Sequence, residues 1–253
     1  KNPLNFTSPS LKLNAGMDHK RLAERKVILD ALNKARRLAE IDPAIRNYSR
    51  QQQKALELLS SSGTAGAFDI ANEPRKVRER YGEDLNGMSL LMARRLVEAG
   101  VPFIFDPGQG LPMFDGDDLK RFIEQATHVA VNDYEQAVMT ERTGWQPAEI
   151  AEHVEALIVT RGAKGSEIYT GGQMLHIPCA QADAVVDPTG CGDAYRGGLL
   201  YGLQKGYDWP TTGRIASLMG AIKIAQNGPQ NYQIDAADFA ARYEQNFGQA
   251  FPG

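Results

Sequence analysis

The string Asp187-Pro188-Thr189-Gly190-Cys191-Gly192-Asp193-Ala194-Tyr195 places two turn-forming glycines and two carboxylates at what reads as the start of a helix. Gly190 and Gly192 let the backbone turn tightly and bring unpaired N–H groups close to a ligand. The helix start adds partial positive charge, so the turn suits a phosphate. The amides of Gly190, Cys191 and Gly192 would form the anion hole. Asp193 beside it could take the proton of a hydroxyl as that hydroxyl attacks a γ-phosphate. Gly197 and Gly198, one turn on, would let the helix pack closely on a sheet. The same spacing fits a second reading, a Gly-rich strand-to-helix turn whose Asp193 serves only the N-terminal amides, and spacing leaves both open. A helix start also lowers a thiol's pKa, but no histidine lies near Cys191 to support a nucleophile.

Composition narrows the class. The chain has 253 residues, 42% hydrophobic and 23% charged, which is ordinary for a folded globular protein of one large or two modest domains. A net charge of −3 implies no surface for nucleic acid. Lys and Arg cluster only from Lys20 to Arg37, interleaved with Glu24 and Asp30 as on a solvated helix face. Cys179 and Cys191 are too few for a disulfide framework, and His19, His128, His153 and His176 show no metal-ligand spacing. No apolar run is long enough to span a bilayer, no signal peptide opens the chain, and a cytoplasmic setting is expected. The first residue is not Met, which fits a chain beginning mid-protein.

The elements that must hold this turn alternate from Val101 onward. Strands are expected at Pro102–Phe105, His128–Val131, Leu157–Thr160, Ser166–Tyr169, Met174–Ile177 and Ala184–Val186. Helices are expected near Asp117–Gln125, Tyr134–Thr140, Pro147–His153, Cys191–Gln204, Thr211–Gln226 and Ala236–Asn246. Such alternation predicts an α/β fold, a parallel-rich sheet covered by helices, with ligands at the carboxyl ends of its strands. Residues 1–101 read instead as mostly helical. Stripes run over Leu22, Leu29, Leu32, Ala35 and Ala39, then over Ile45, Tyr48, Gln52, Ala55 and Leu59. After a polar stretch from Asn72 to Asp84, a third helix spans Asn86–Ala99. This half shows no chemistry.

The 187–195 string resembles the second signature of the ribokinase-like, PfkB-type kinases, D-T-x-G-A-G-D-x-F, with Pro188, Cys191 and Tyr195 as variants. A P-loop is absent. The resemblance implies an ATP-dependent phosphotransferase with Asp193 as base, acting on a nucleoside or sugar hydroxyl with Mg²⁺. Asn132-Asp133-Tyr134-Glu135 resembles the family's N-x-x-E motif, which implies that Asn132 and Glu135 help place Mg²⁺ and phosphate through water. An acidic first helical turn accounts for the same string. Val159 to Gly165 resembles the strand and turn that bind the triphosphate, with Thr160 and Gly162 at matching positions and Arg161 and Gly165 beside them. Arg161 also suits a solvent-facing turn. Gly220 to Gln230 resembles the adenine-pocket segment, with Asn227 and Gly228 as nucleotide contacts. By the same resemblance Asp187 helps hold a monovalent cation such as K⁺, although a turn-stabilising Asp before Pro reads equally well. Asp106-Pro107-Gly108-Gln109 and Leu111-Pro112-Met113-Phe114 resemble the adenosine-kinase branch.

The likeness covers residues 102–253 and about the C-terminal half of a usual family member. The family's substrate-gripping Gly-Gly-Asn segment and β-sheet lid have no counterpart here, so transfer is expected to be impaired, and a nucleotide-binding module without catalysis is the alternative. Residues 14–101 resemble a fragment of an uncharacterised sulfatase-like protein, through Ala35-Arg36-Arg37, Ala67-Phe68-Asp69, Val77 to Gly82 and Ser89 to Val101. A hydrolase fragment is thus a further reading. The two likenesses together imply a splice of unrelated parts near Glu98–Phe103.

Overall fold

The computed structural model describes Lys20 and residues 66–253, and the chain divides after Pro102 into two compact units. The helical stripes expected over Leu22–Ala39 and Ile45–Leu59 lie outside the described residues. In the first unit, helix α1 spans Arg75–Tyr81 and α2 spans Leu85–Glu98. The Asp84 side chain caps α2 by accepting the Gly87 N–H at 2.9 Å, satisfying one of the amides that a helix start leaves bare. α1 occupies the stretch expected to be merely polar. It buries no side chain fully, so its sequence shows little of the apolar periodicity that marks a helix. Ile70, Met88 and Leu91 form a small buried core. Arg95 binds the carbonyls of Ala67 at 3.0 Å and Gly66 at 2.7 Å and pairs with Glu73.

The second unit is built on a five-stranded sheet whose order follows the chain. The strands are β1 (Ile104–Phe105), β2 (His128–Asn132), β3 (Ala156–Thr160), β4 (Ser166–Thr170) and β5 (Gln173–Ile177). β1, β2 and β3 run parallel, while β3–β4 and β4–β5 pair antiparallel. The helices are α3 (Gly116–Gln125), α4 (Asp133–Thr143), α5 (Pro147–Ile150), α6 (Cys191–Lys205), α7 (Trp209–Ile224) and α8 (Ala236–Phe247).

β2 and β3 are buried on both faces, which explains their unbroken apolar runs. Their alternation sorts the core into two layers. Val129, Val131, Leu157 and Val159 meet Ile123, Met139 and Ile150 on one face. Ala130, Ala156 and Ile158 meet Tyr195, Leu199 and Ala216 on the other. α7 is apolar through most of its circumference because α6, α8 and the sheet all pack on it.

Three sequence expectations need correction. Ala184–Val186 forms no strand: the Val186 and Asp187 amides both donate to the Ile224 carbonyl, at 2.9 and 3.1 Å, so the segment pairs with the end of α7 instead of with a strand. The strand at Pro102–Phe105 shrinks to Ile104–Phe105 and is half-buried. Gly198 packs on a helix, since a Cβ there would stand 2.5 Å from the Ala216 Cα of α7, while Gly197 has open space around it. Among the described residues no helix is long and apolar enough to cross a membrane.

Candidate active site

Gly190 sits at the N-cap of α6 with φ +81°, a left-handed conformation that only glycine adopts freely, and a Cβ there would lie 2.9 Å from Pro229 Cβ. The turn is closed internally by the Cys191 N–H, which donates to the Pro188 carbonyl at 3.1 Å. Cys191 therefore does not present a bare amide, as the sequence reading expected. Among the described residues the amides of Gly190, Gly192 and Asp193 have no acceptor. They are the orphan donors at the start of a 15-residue helix, where the dipole favours an anion. Burial pushes the Cys191 thiol pKa up, against a nucleophilic role.

Gly192 opens into a cleft of about 450 Å³ that brings together Thr160, Gly162 and Gly165 from the β3–β4 turn and Cys191 from α6. Gly165 has φ +84°, and a Cβ there would collide with the Ile177 carbonyl at 2.1 Å, so glycine is required where the turn crosses the end of β5. Gly162 also has positive φ, with open space around it. The Asp193 carboxylate is exposed at the same helix start and does not line the cleft.

Other expected residues are placed differently. Arg161 donates to Glu167 at 2.7 Å, and Glu167 also accepts from the Tyr169 hydroxyl at 2.8 Å. The pairing raises the Arg161 pKa, chiefly through the Glu167 hydrogen bond, and Arg161 is absent from the cleft lining. Asn227 and Gly228 are also outside it. Gly220, Ala221 and Ile224 supply that wall, one to two turns earlier. Asn132 and Glu135 form a reciprocal capping box on α4, with Asn132 Oδ1 accepting from the Glu135 N–H at 2.8 Å and Glu135 Oε2 from the Asn132 N–H at 2.9 Å. Glu135 Oε1 has no partner among the described residues. No cluster of three or more acidic, His or Cys side chains that could hold a metal occurs among the described residues.

Asp187 has both carboxylate oxygens in use, Oδ1 on the Thr189 N–H and Oδ2 on the Gly228 N–H, each at 2.8 Å. These bonds, led by those from Thr189, hold its pKa at about 2. Its carbonyl accepts from the buried Lys223 Nζ at 2.7 Å.

The sequence reading missed the apolar wall of Ala180, Ala182 and Val185, together with Ser217. Ser217 Oγ binds the Pro178 carbonyl at 3.0 Å and accepts the Ala180 N–H at 2.8 Å, fastening that loop to α7. Val185 is 81% exposed and lines the cleft, which only the fold reveals.

Residues 77–236 match the model of the pfkB family of carbohydrate kinases. Residues 3–110 match a family described only as a protein of unknown function (DUF1501), a description that lends no support to the sulfatase-like likeness. A nucleoside kinase of Methanocaldococcus jannaschii is 39% identical over 126 residues, covering 50% of this chain and 42% of that protein. The solved structure of a Burkholderia thailandensis nucleoside kinase with inosine is 55% identical, with a TM-score of 0.62 over 65% of this chain and 54% of that one. The same kinase in complex with ADP-inosine aligns at 55% identity with a TM-score of 0.63, over 66% of this chain and 52% of that one. The chain thus spans about half the length of the relatives it matches. Signature turn, sheet and family match agree, and the chain belongs to the pfkB family of carbohydrate kinases.

Proposed function

We propose that residues 102–253 form the nucleotide-binding and catalytic part of an ATP-dependent kinase that phosphorylates a hydroxyl of a nucleoside. The observation that carries this is the α6 turn, whose bare Gly192 amide opens into the cleft while Asp193 stands beside it. The Gly192 and Asp193 amides bind phosphate, the apolar wall of Ala180, Ala221 and Ile224 takes the base of the nucleotide, and Thr160 and Gly162 border the phosphate chain. Asp193 accepts the proton of the attacking hydroxyl. Mg²⁺ bound with ATP would neutralise charge on the phosphates, and Asn132 and Glu135 are the residues that would help hold it. A nucleoside is favoured over a simple sugar because the aligned relatives are nucleoside kinases, one of them solved with inosine. A reducing cytoplasm that contains ATP is the setting this reading requires, and Cys179 and Cys191 are both free thiols.

Calorimetric titration with Mg-ATP, followed by a phosphorylation assay with inosine, adenosine and ribose, tests the reading. Nucleotide binding with transfer to a nucleoside is expected; absence of nucleotide binding would refute it. Nucleotide binding without transfer is a second reading, favoured by the position of Asp193 outside the cleft lining. We further propose that residues 1–101 have a separate origin from residues 102–253, supported by the different family models that match the two ends of the chain.

A further inference from the structure

Lys223 is a charged side chain with no access to solvent, one residue from the end of α7. A buried ammonium is costly unless its donors are met. Here Nζ donates to the carbonyl of Asp187 at 2.7 Å and to the carbonyl of Gln226 at 3.2 Å, and stands 4.0 Å from the Asp187 carboxylate. Main-chain carbonyls converging beside a carboxylate are the surroundings that a monovalent metal ion takes in a protein. Those oxygens already have their cation, and it is covalently part of the chain. Each Asp187 carboxylate oxygen also accepts a main-chain amide, from Thr189 and from Gly228. A K⁺ ion at Asp187, which the family resemblance implied, does not fit these residues.

We infer that Lys223 is a built-in substitute for an exchangeable monovalent cation, a positioning residue that orders the phosphate-binding turn without potassium. Its ammonium joins three segments: the end of α7, the loop at Gln226–Gly228 and the Asp187 turn that runs into α6. Asp187 lies five residues before Gly192, so whatever fixes the Asp187 carbonyl also sets the direction in which the Gly192 and Asp193 amides point. A fixed positive charge behind that turn also favours an anion in front of it. The nucleotide part of this inference rests on the kinase reading; the cation part does not.

The test uses the full chain and two readouts, the thermal midpoint and the Kd for Mg-ADP, each measured in equimolar KCl, NaCl and choline chloride. The wild type should give the same midpoint and Kd in all three salts. Lys223→Ala should lower the midpoint and weaken Mg-ADP by about tenfold, the worth of one charge-assisted hydrogen bond. K⁺, but not choline, should restore part of both. A wild-type midpoint or affinity that rises with K⁺ would overturn the inference. So would an alanine variant indistinguishable from wild type, or one whose losses no small cation repairs. If Lys223→Ala does not fold, Lys223→Met keeps the stem and carries the comparison, and a wild-type Kd in that variant refutes the role. If no salt supports Mg-ADP binding by the wild type, the nucleotide reading falls, and the thermal series still judges the cation claim.

Discussion

Arg196, in the second turn of α6, reaches Asp106 just beyond β1, with its Nε 2.5 Å from the Asp106 Oδ2. The other guanidinium nitrogens reach the Gly192 carbonyl and the Ala130 carbonyl of β2, both at 3.3 Å. One side chain therefore fastens the start of α6 to β2 and to the residue that follows β1, through a pair in which Arg196 is 17% and Asp106 35% exposed. Arg196→Ala should destabilise the protein by about 1–3 kcal/mol and weaken Mg-ADP, because the phosphate-binding turn loses its anchor. Arg196→Lys should restore little, since an ammonium cannot span three acceptors in a plane. Urea unfolding and calorimetry on the same samples check both.

Gly198 is where α6 and α7 come closest. Gly198→Ala places a methyl against the backbone of Ala216, so the helices must separate. A loss of about 1–3 kcal/mol in urea unfolding is expected. Gly197→Ala, with nothing near its Cβ, should instead be neutral or slightly stabilising through helix propensity.

Tyr195 stands where the family signature has Phe, and its hydroxyl lies 2.6 Å from Ser166 Oγ in the core. Burial pushes its pKa to about 12, and the bond to Ser166 opposes that only in part. Tyr195→Phe leaves Ser166 buried without a partner and should cost about 1–3 kcal/mol. The double variant Tyr195→Phe, Ser166→Ala should recover much of that loss, which a double-mutant cycle would measure.

Why part of this site was legible and part was not follows from what each residue contacts. Gly190 and Gly165 announce themselves because backbone crossings and positive φ demand glycine. The Asn132–Glu135 box was visible as spacing. Arg161 was misplaced because a basic residue beside a phosphate turn has two outlets, and its partner Glu167 lies on the next strand. Nothing in the local sequence marks Lys223 as buried. Only the fold shows that α7 is enclosed and that two carbonyls wait at its end. The Ala184–Val186 segment has the residues of a strand but no strand to pair with, a fact of topology that local sequence does not hold.

Acid should destabilise the protein in two stages. Burial lowers the pKa of His128, whose Nε2 has no hydrogen-bond partner, so the neutral form is favoured in the fold. Its contribution is complete above about pH 6.5, the unfolded value, and is lost as pH falls through the lower folded value. Asp187 then contributes fully above about pH 4, and that share is lost as pH falls towards about 2. Thermal midpoints against pH should show both stages. His128→Phe should remove the first and Asp187→Asn the second.

The most direct test of the kinase account is the rate of phosphoryl transfer to inosine by Asp193→Asn, with the Mg-ADP Kd measured on the same preparation. The account predicts a rate about 10²–10⁴-fold below wild type, the usual worth of a general base, at an unchanged Kd. A variant that transfers phosphate as fast as the wild type would contradict it.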